Sequence, residues 1–305
     1  MAENQQIKMS TFQKIRQIPS NISREKKKKA MAQNKESIRE KILSPTSSFQ
    51  VREAYKALRT NLIFSLPMEG CKKIIVTSSL ASEGKSTNCL NLAITFAEMD
   101  AKVLIIDSDL RRPNLARMMN VPSSPGLSNY LVGLNSLEDI VVESQYKNLS
   151  YIVSGNIPPN PAEILSSENM GKMIEELSKK FDYIFFDTAP VNLVTDTAVL
   201  SKHAHGVVLI ALQNSTDHET LKYAVNQLNF VGAKILGFVL NGVVYGNNGS
   251  YKYSSKRKYY RYGKRKKWSG GLGYYNKYGQ YGQYGKYGYS RPYAADVTDK
   301  SSTVK

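Results

Sequence analysis

Residues 72–92 read KKIIVTSSLASEGKSTNCLNL: an apolar run, a short polar turn, then Gly-Lys-Ser-Thr leading into further apolar spacing. The stretch fits phosphate chemistry. Gly84-Lys85-Ser86-Thr87 forms the second half of the pattern G-x-x-x-x-G-K-[ST], in which a strand turns into a helix around phosphate oxygens. A glycine lets the backbone approach the anion, and free amides at the helix start face it. Residues Ser82, Glu83, Gly84, Lys85, Ser86 and Thr87 are therefore the candidate nucleotide-binding set. Lys85 would neutralise the β- and γ-phosphates, Ser86 would offer its hydroxyl to Mg²⁺, and Thr87 would reach the α-phosphate. The first glycine of the pattern is replaced by Ser79, a residue still small enough for the turn.

Two further stretches supply carboxylates. VLIIDSDLRRP puts Asp107 and Asp109 at the end of an apolar run, and YIFFDTAP does the same for Asp187. In an open α/β sheet the ligand lies outside the carboxyl ends of the strands, where these aspartates fall. An aspartate at such a place can also serve only to cap a helix or form a turn. Taken with the phosphate loop, the set reads as a site. Ser86, Asp107 and Asp187 are the candidate metal ligands; Lys85, Asp107 and Asp109 are the candidate catalytic groups. A carboxylate beside a metal-bound triphosphate suits orientation or deprotonation of an incoming hydroxyl.

These residues need a scaffold, and the apolar pattern predicts one. Strands are expected at KKIIVTSS, KVLIIDSD, LSYIVSG, DYIFFDT, GVVLIAL and KILGFVLNGV, alternating with helices such as KSTNCLNLAITFAEM, PAEILSSENMGKMIEELSKKF, VTDTAVLSKH and DHETLKYAVNQLNFVG. The strands are continuously apolar, as strands covered on both faces are. The fold class is therefore α/β: a doubly wound, mostly parallel sheet with helices on both faces. A further helix is expected over QVREAYKALRTNLIFSL, with Val51, Ala54, Leu58, Leu62 and Phe64 as its apolar stripe.

Charge divides the chain into three. Of its +17 formal charge, residues 1–50 carry 11 basic and 4 acidic residues, and residues 245–305 carry 14 and 2. That leaves a near-neutral middle. The expected organisation is a basic, mostly disordered extension over 1–47, a catalytic domain over 48–244, and a disordered Tyr/Gly/Lys-rich tail over 245–305. No run is long and apolar enough for a membrane span or a secretory leader, and two cysteines suggest a reducing, cytoplasmic setting. Basic ends suit an acidic partner, an anionic membrane surface among them. In the tail, YGQYGQYGKYGYS spaces Tyr278, Tyr281, Tyr284 and Tyr287 three residues apart, followed by Tyr289 and Tyr293. A period of three fits neither helix nor strand packing. The row is either a low-complexity tail or a row of substrates.

The three site motifs, in this order, resemble the Walker A, Walker A′ and Walker B signatures of the bacterial tyrosine kinases (BY-kinases), whose fold is that of the P-loop NTPases. The second, D-x-D-x-R, is met by Asp107, Asp109 and Arg111. The family's E-x-x-R-x-x-R helix, used for subunit contacts, is matched by Glu53, Lys56 and Arg59 within a helical segment over 48–70, with lysine at the middle place. SGNIPPNPAEIL, FVLNGV and the tyrosine row are similar as well. The likeness is closest to cytoplasmic kinases of capsule and exopolysaccharide gene clusters, the CpsD/CapB type. It implies MgATP-dependent autophosphorylation in trans of Tyr278, Tyr281, Tyr284, Tyr287, Tyr289 and Tyr293. It also implies a homo-oligomeric ring, a membrane-anchored polysaccharide co-polymerase adaptor that recruits the kinase to the inner face of the membrane, and a cognate phosphotyrosine phosphatase. Control of polysaccharide synthesis and chain length goes with that setting. In the family, Asp107 or Asp109 orients the acceptor hydroxyl, with Asp109 preferred here.

Two alternatives compete. A ParA/MinD-like partitioning ATPase shares the fold, but its loop usually carries a lysine where this chain has Leu80, and it lacks a tyrosine row. A nucleic-acid-binding protein would use interleaved basic and aromatic residues such as KRKYYRYGKRKKW. The near-neutral middle offers no nucleic-acid module, so nucleic acid is not the expected partner.

Overall fold

The structure, a computed structural model, describes residues 40–243. Its frame is a seven-stranded sheet: β1 (Lys72–Ser78), β2 (Val103–Asp107), β3 (Val142–Glu143), β4 (Leu149–Ile152), β5 (Tyr183–Asp187), β6 (Gly206–Leu212) and β7 (Ile235–Asn241). The order is β3-β4-β2-β5-β1-β6-β7. All neighbours are parallel except the short β3, which runs antiparallel to β4 at one edge. From β1 the chain crosses over β5's place to β2, and from β5 it crosses back over β1 to β6. Connections thus diverge around the centre of the sheet, which is where such folds hold a ligand.

The strand residues alternate between two cores. Ile74, Val76, Ile105 and Phe185 face one side, where Leu90, Ala93 and Phe96 of α2 (Lys85–Ala97) cover them. Ile75, Leu104, Ile106, Ile184 and Phe186 face the other side. There they meet Met170, Met173, Ile174 and Leu177 of α7 (Glu168–Ser178), and Ala224 and Leu228 of α9 (His218–Phe230) also belong to that core. The middle residues of the central strands are apolar on successive positions because they have no solvent face, and polar residues enter only toward the strand ends. Five shorter helices complete the fold: α3 (Leu115–Met119), α4 (Leu127–Leu131), α5 (Leu137–Ile140), α6 (Pro161–Leu165) and α8 (Asp196–Ser201).

Helix α1 (Phe49–Ser65) starts where the Ser48 hydroxyl accepts a hydrogen bond from the Val51 amide. Its expected stripe is corrected in part. Tyr55 and Leu62 are buried and Leu58 packs against them, whereas Val51 and Phe64 are exposed, Phe64 by 86%. The buried set follows the seven-residue spacing from 55 to 62; Phe64, two residues beyond Leu62, falls on the opposite face, and Val51 shares the buried face but sits in the exposed first turn of the helix.

Two other expectations change. The segment expected as one helix over 161–181 is two, because Ser167 restarts the helix by accepting from the Met170 amide. The boundary at residue 47 is also too late. Ile42 and Leu43 are buried in the same core as α2, an apolar pair inside an otherwise polar stretch. Residues 1–39 and the tail tyrosines 278–293 lie outside the described residues.

Candidate active site

The site gathers at the carboxyl ends of β1, β5 and β2, which lie side by side. In the sheet register Val76 is opposite Asp187, and Asp187 is opposite Asp107. The turn after β1 is held open by two left-handed residues, Ser82 (φ 64°) and Gly84 (φ 93°). A Cβ on Gly84 would run into the side-chain amide of Asn241, so glycine is required by space as well as by conformation. Lys85 then begins α2 with its amide end facing the strand termini.

The buried charges form one group. Lys85 Nζ is 2.8 Å from Asp109 Oδ2, 3.7 Å from Asp187 Oδ1, and donates to Ser86 Oγ at 3.3 Å. Burial alone would lower the Lys85 pKa, but Asp109 and Asp187 overcome it and keep the ammonium charged. Burial would likewise raise Asp109; the neighbouring Lys85 outweighs it and holds Asp109 below the usual carboxylate range. Asp109 Oδ1 also accepts from the Arg112 amide at 2.9 Å, so it forms its own turn as well.

Asp107 divides its work. Oδ2 accepts from the amides of Asn114 (3.0 Å) and Leu115 (2.9 Å), capping α3. Oδ1 is buried with no hydrogen-bond partner. Burial, then Asp187 and Asp109, push its pKa up to about 8. Asp187 is raised too, by burial first, with Lys85 and then Ser86 opposing; Lys85 faces its Oδ1 at 3.7 Å, and neither oxygen is closely hydrogen-bonded. Helix capping and site chemistry are therefore not rival roles here, since capping occupies Oδ2 and leaves Oδ1 available.

Three carboxylate oxygens without a close hydrogen bond, only one of them facing Lys85, are costly unless a further cation meets them. Among the described residues no group of three or more His, Cys, Asp or Glu side chains is assembled as a metal cage. Mg²⁺ takes one or two protein ligands and leaves the rest to phosphates and water. Ser86, Asp107 and Asp187 fit that cation.

The other candidate residues are placed as follows. Ser82 is exposed and Thr87 is half-buried in the first turn of α2. The Glu83 side chain turns away from the phosphate position: it accepts from the Leu80 amide at 2.8 Å and from the Thr216 hydroxyl. What Glu83 offers a ligand is its backbone. Arg111 lies in a bidentate pair with Asp196, at 2.8 and 3.0 Å. On α1, Glu53 and Lys56 pair at 2.8 Å on a half-exposed face, and Arg59 Nη1 donates to the Thr95 carbonyl of α2 at 2.5 Å.

Sequence reasoning missed the residues that hold these in place. Asp196, fully buried, ties the arginine of the second motif to the start of α8. Asn241 donates to the Glu83 carbonyl at 2.9 Å and so links the end of β7 to the phosphate loop. In VTDTAVL the aspartate carries no local signal beyond a helix start, although a largely buried arginine needs a counter-charge.

Known proteins agree with this geometry. Residues 71–231 match the family model described as an AAA domain. The chain is 32% identical to the putative tyrosine-protein kinase CapB of Staphylococcus aureus over 223 residues, 73% of this chain and 98% of that protein. It is 37% identical to the tyrosine-protein kinase YwqD of Bacillus subtilis over 201 residues, 66% of this chain and 85% of that one. Among solved structures it resembles the chimerical protein CapA2B2 with a TM-score of 0.61 and 32% identity, over 65% of this chain and 86% of that chain. The kinase domain of the Escherichia coli tyrosine kinase ETK also scores 0.61, at 29% identity, over 72% and 80%. The phosphate loop, the paired strand-end aspartates and these relatives agree: the chain belongs to the bacterial tyrosine-kinase family of P-loop proteins.

Proposed function

We propose that the chain transfers the γ-phosphoryl group of ATP to tyrosine hydroxyls of its own C-terminal row, acting on a neighbouring copy. The observation that carries the reading is the buried Lys85–Asp109 pair, set beside the orphan oxygens of Asp107 and Asp187. The loop amides from Ser82 to Thr87 and Lys85 bind and orient the triphosphate. Ser86, Asp107 and Asp187 would hold Mg²⁺, which would supply positive charge to offset the charge of phosphoryl transfer.

Lys85 is committed to Asp109 as the side chains stand. When Lys85 swings onto a phosphate it releases an ionised carboxylate, because Asp109 has been kept deprotonated by that contact. Asp109 then accepts the hydrogen bond of the incoming tyrosine hydroxyl and takes its proton late, since a free tyrosine has a pKa near 10. Asp107 is less suited to that step, because its Oδ2 is engaged in capping α3.

The acceptors are Tyr278, Tyr281, Tyr284, Tyr287, Tyr289 and Tyr293. A glycine-spaced row reaches a second copy's site at little conformational cost. Each phosphotyrosine adds roughly −1.5 to −2 charges. Four of them would add about −6 to −8 to a tail whose 14 basic and 2 acidic residues leave it strongly cationic. That change releases the tail from carboxylate-lined surfaces, and it is the switch between assembled and loosened rings. Glu53, Lys56 and Arg59 lie on the contact helix of the ring.

No helix among the described residues is long and apolar enough to cross a membrane. A separate membrane adaptor recruits the kinase to the inner face of the membrane, a phosphatase resets it, and the cycle governs the synthesis and chain length of capsular or exopolysaccharide. The test is direct. Purified chain, the cytoplasmic piece of its adaptor and MgATP are incubated and probed for phosphotyrosine. A signal that needs ATP is expected. ATP turnover stimulated by DNA with no phosphotyrosine would overturn the reading in favour of a partitioning ATPase.

A further inference from the structure

A buried polar chain runs from the segment before α1 to the phosphate loop. At its outer end Asn91 of α2 clasps the incoming backbone: Oδ1 accepts from the Leu43 amide at 2.7 Å, and Nδ2 donates to the Lys41 carbonyl at 3.0 Å. The same Nδ2 donates to the Tyr55 hydroxyl of α1 at 3.0 Å. Tyr55 donates onward to Asn88 Oδ1 at 3.0 Å, and Asn88 Nδ2 donates to the Gly84 carbonyl at 2.9 Å. Gly84 O also accepts the first backbone bond of α2, from the Asn88 amide at 2.9 Å.

The chain is closed and directional. Burial raises the Tyr55 pKa, the bond from Asn91 opposing it, so the hydroxyl keeps its proton and can donate. That donation leaves Asn88 one orientation, amide nitrogen toward Gly84. Gly84 is the left-handed residue at the start of α2, directly before the amides of Lys85 and Ser86. The Gly84 carbonyl can only accept, so it calls for the same orientation of the Asn88 amide, and the donation from Tyr55 reinforces it. Asn91 and Asn88 lie one helical step apart and Tyr55 reaches between them, so the contact between α1 and α2 is polar here, as it is again where Arg59 meets the Thr95 carbonyl, within a largely apolar interface.

We propose that Tyr55 is a positioning residue for nucleotide binding: through Asn88 it sets the phosphate loop at Gly84, and through Asn91 it makes that setting depend on the docking of α1 and of residues 41–43. This rests on the nucleotide site proposed above. Its consequence is a route by which anything that moves α1 or the segment before it changes affinity for nucleotide, with no contact to the ligand.

Tyr55→Phe tests it, because it deletes one hydroxyl and keeps the ring in its pocket. The full chain is titrated with a fluorescent ADP analogue in Mg²⁺, and tyrosine phosphorylation is followed against ATP concentration. One such hydrogen bond is worth about a three- to tenfold change in an equilibrium. Weaker binding of that size and an equal rise in the KM for ATP are expected, with kcat changed much less. A merely structural role would lower the melting temperature and leave the KM of the folded enzyme alone.

Asn88→Ala supplies the second arm. In its background Tyr55→Phe should cause no further loss, because the two act in series. Unchanged affinity and KM in Tyr55→Phe, or full additivity with Asn88→Ala, would overturn the inference. Failure of the parent chain to bind the analogue would instead remove the nucleotide reading itself, and this inference with it.

Discussion

Asp107→Asn should make the protein more stable and catalytically dead. The carboxyl of Asp107 is raised from 3.8 to about 8 by burial and by Asp187 and Asp109. The folded chain thus keeps a proton there that the unfolded chain releases above about pH 4. Stability of the parent must therefore fall as pH rises from about 4 to 8, because the native state binds more protons across that window. A shift of about four units corresponds to roughly 6 kcal/mol if all of it is realised. Even a third of that, ~2 kcal/mol, moves the midpoint of a domain this size by roughly 4–8 °C. Asparagine keeps an oxygen to accept from the Asn114 and Leu115 amides, so the cap on α3 survives. The assay is thermal unfolding in chelator from pH 5 to 8. The variant should gain most at pH 8 and lose most of this slope. Added Mg²⁺ should raise the melting temperature of the parent and not of the variant, and phosphotyrosine should vanish. A variant no more stable at pH 8 than the parent, or with the parent's slope, would refute the reasoning.

Other outcomes follow from the same geometry. Lys85→Met should abolish phosphotyrosine on blots and leave Asp109 and Asp187 buried without their cation, costing about 3–5 kcal/mol in denaturant titrations above about pH 4, where Asp109 is ionised. The penalty should shrink as pH falls, because the parent loses the benefit of its depressed Asp109 pKa there. Gly84→Ala forces a Cβ into the Asn241 amide at a positive φ, so binding of a fluorescent nucleotide should fall at least tenfold. Asp196→Ala removes the bidentate partner of Arg111 and should lower stability by about 3–5 kcal/mol in chemical unfolding. Replacing Tyr278, Tyr281, Tyr284, Tyr287, Tyr289 and Tyr293 by Phe should remove most of the phosphotyrosine signal; a signal that persists would move the acceptors elsewhere.

The parallel sheet was legible because its physics is written in runs. Strands such as IIDSD and FFDT are apolar on successive residues, which only two-sided burial permits, and an aspartate ends each run where the register then pairs Asp107 with Asp187. The loop was legible because Gly-Lys-Ser-Thr after a strand has few other uses. The region from 110 to 148 was not. Helices such as Leu127–Leu131 and Leu137–Ile140 are too short to show a period, and their ends are set by local bonds. The supports of the site were hidden for a different reason. Asp196, Thr216 and Asn241 are single polar residues whose partners lie 85 (Asp196 to Arg111), 133 (Thr216 to Glu83) and 158 (Asn241 to Glu83) positions away. No local pattern can reveal such a pairing. Ile42 and Leu43 were lost in a lysine-rich stretch, where two apolar residues make no periodic signal.

The central claim is transfer of phosphate from this site to tyrosines of another copy. Asp107→Asn with an intact tail serves as the acceptor, and a chain with an intact site whose six row tyrosines are Phe serves as the donor. The two are mixed with the adaptor piece, Mg²⁺ and γ-labelled ATP, then separated by size tag. The account predicts label on the Asp107→Asn chain, on tyrosine, within residues 278–293. Label confined to the donor chain, label on serine or threonine, or none on either chain would contradict it.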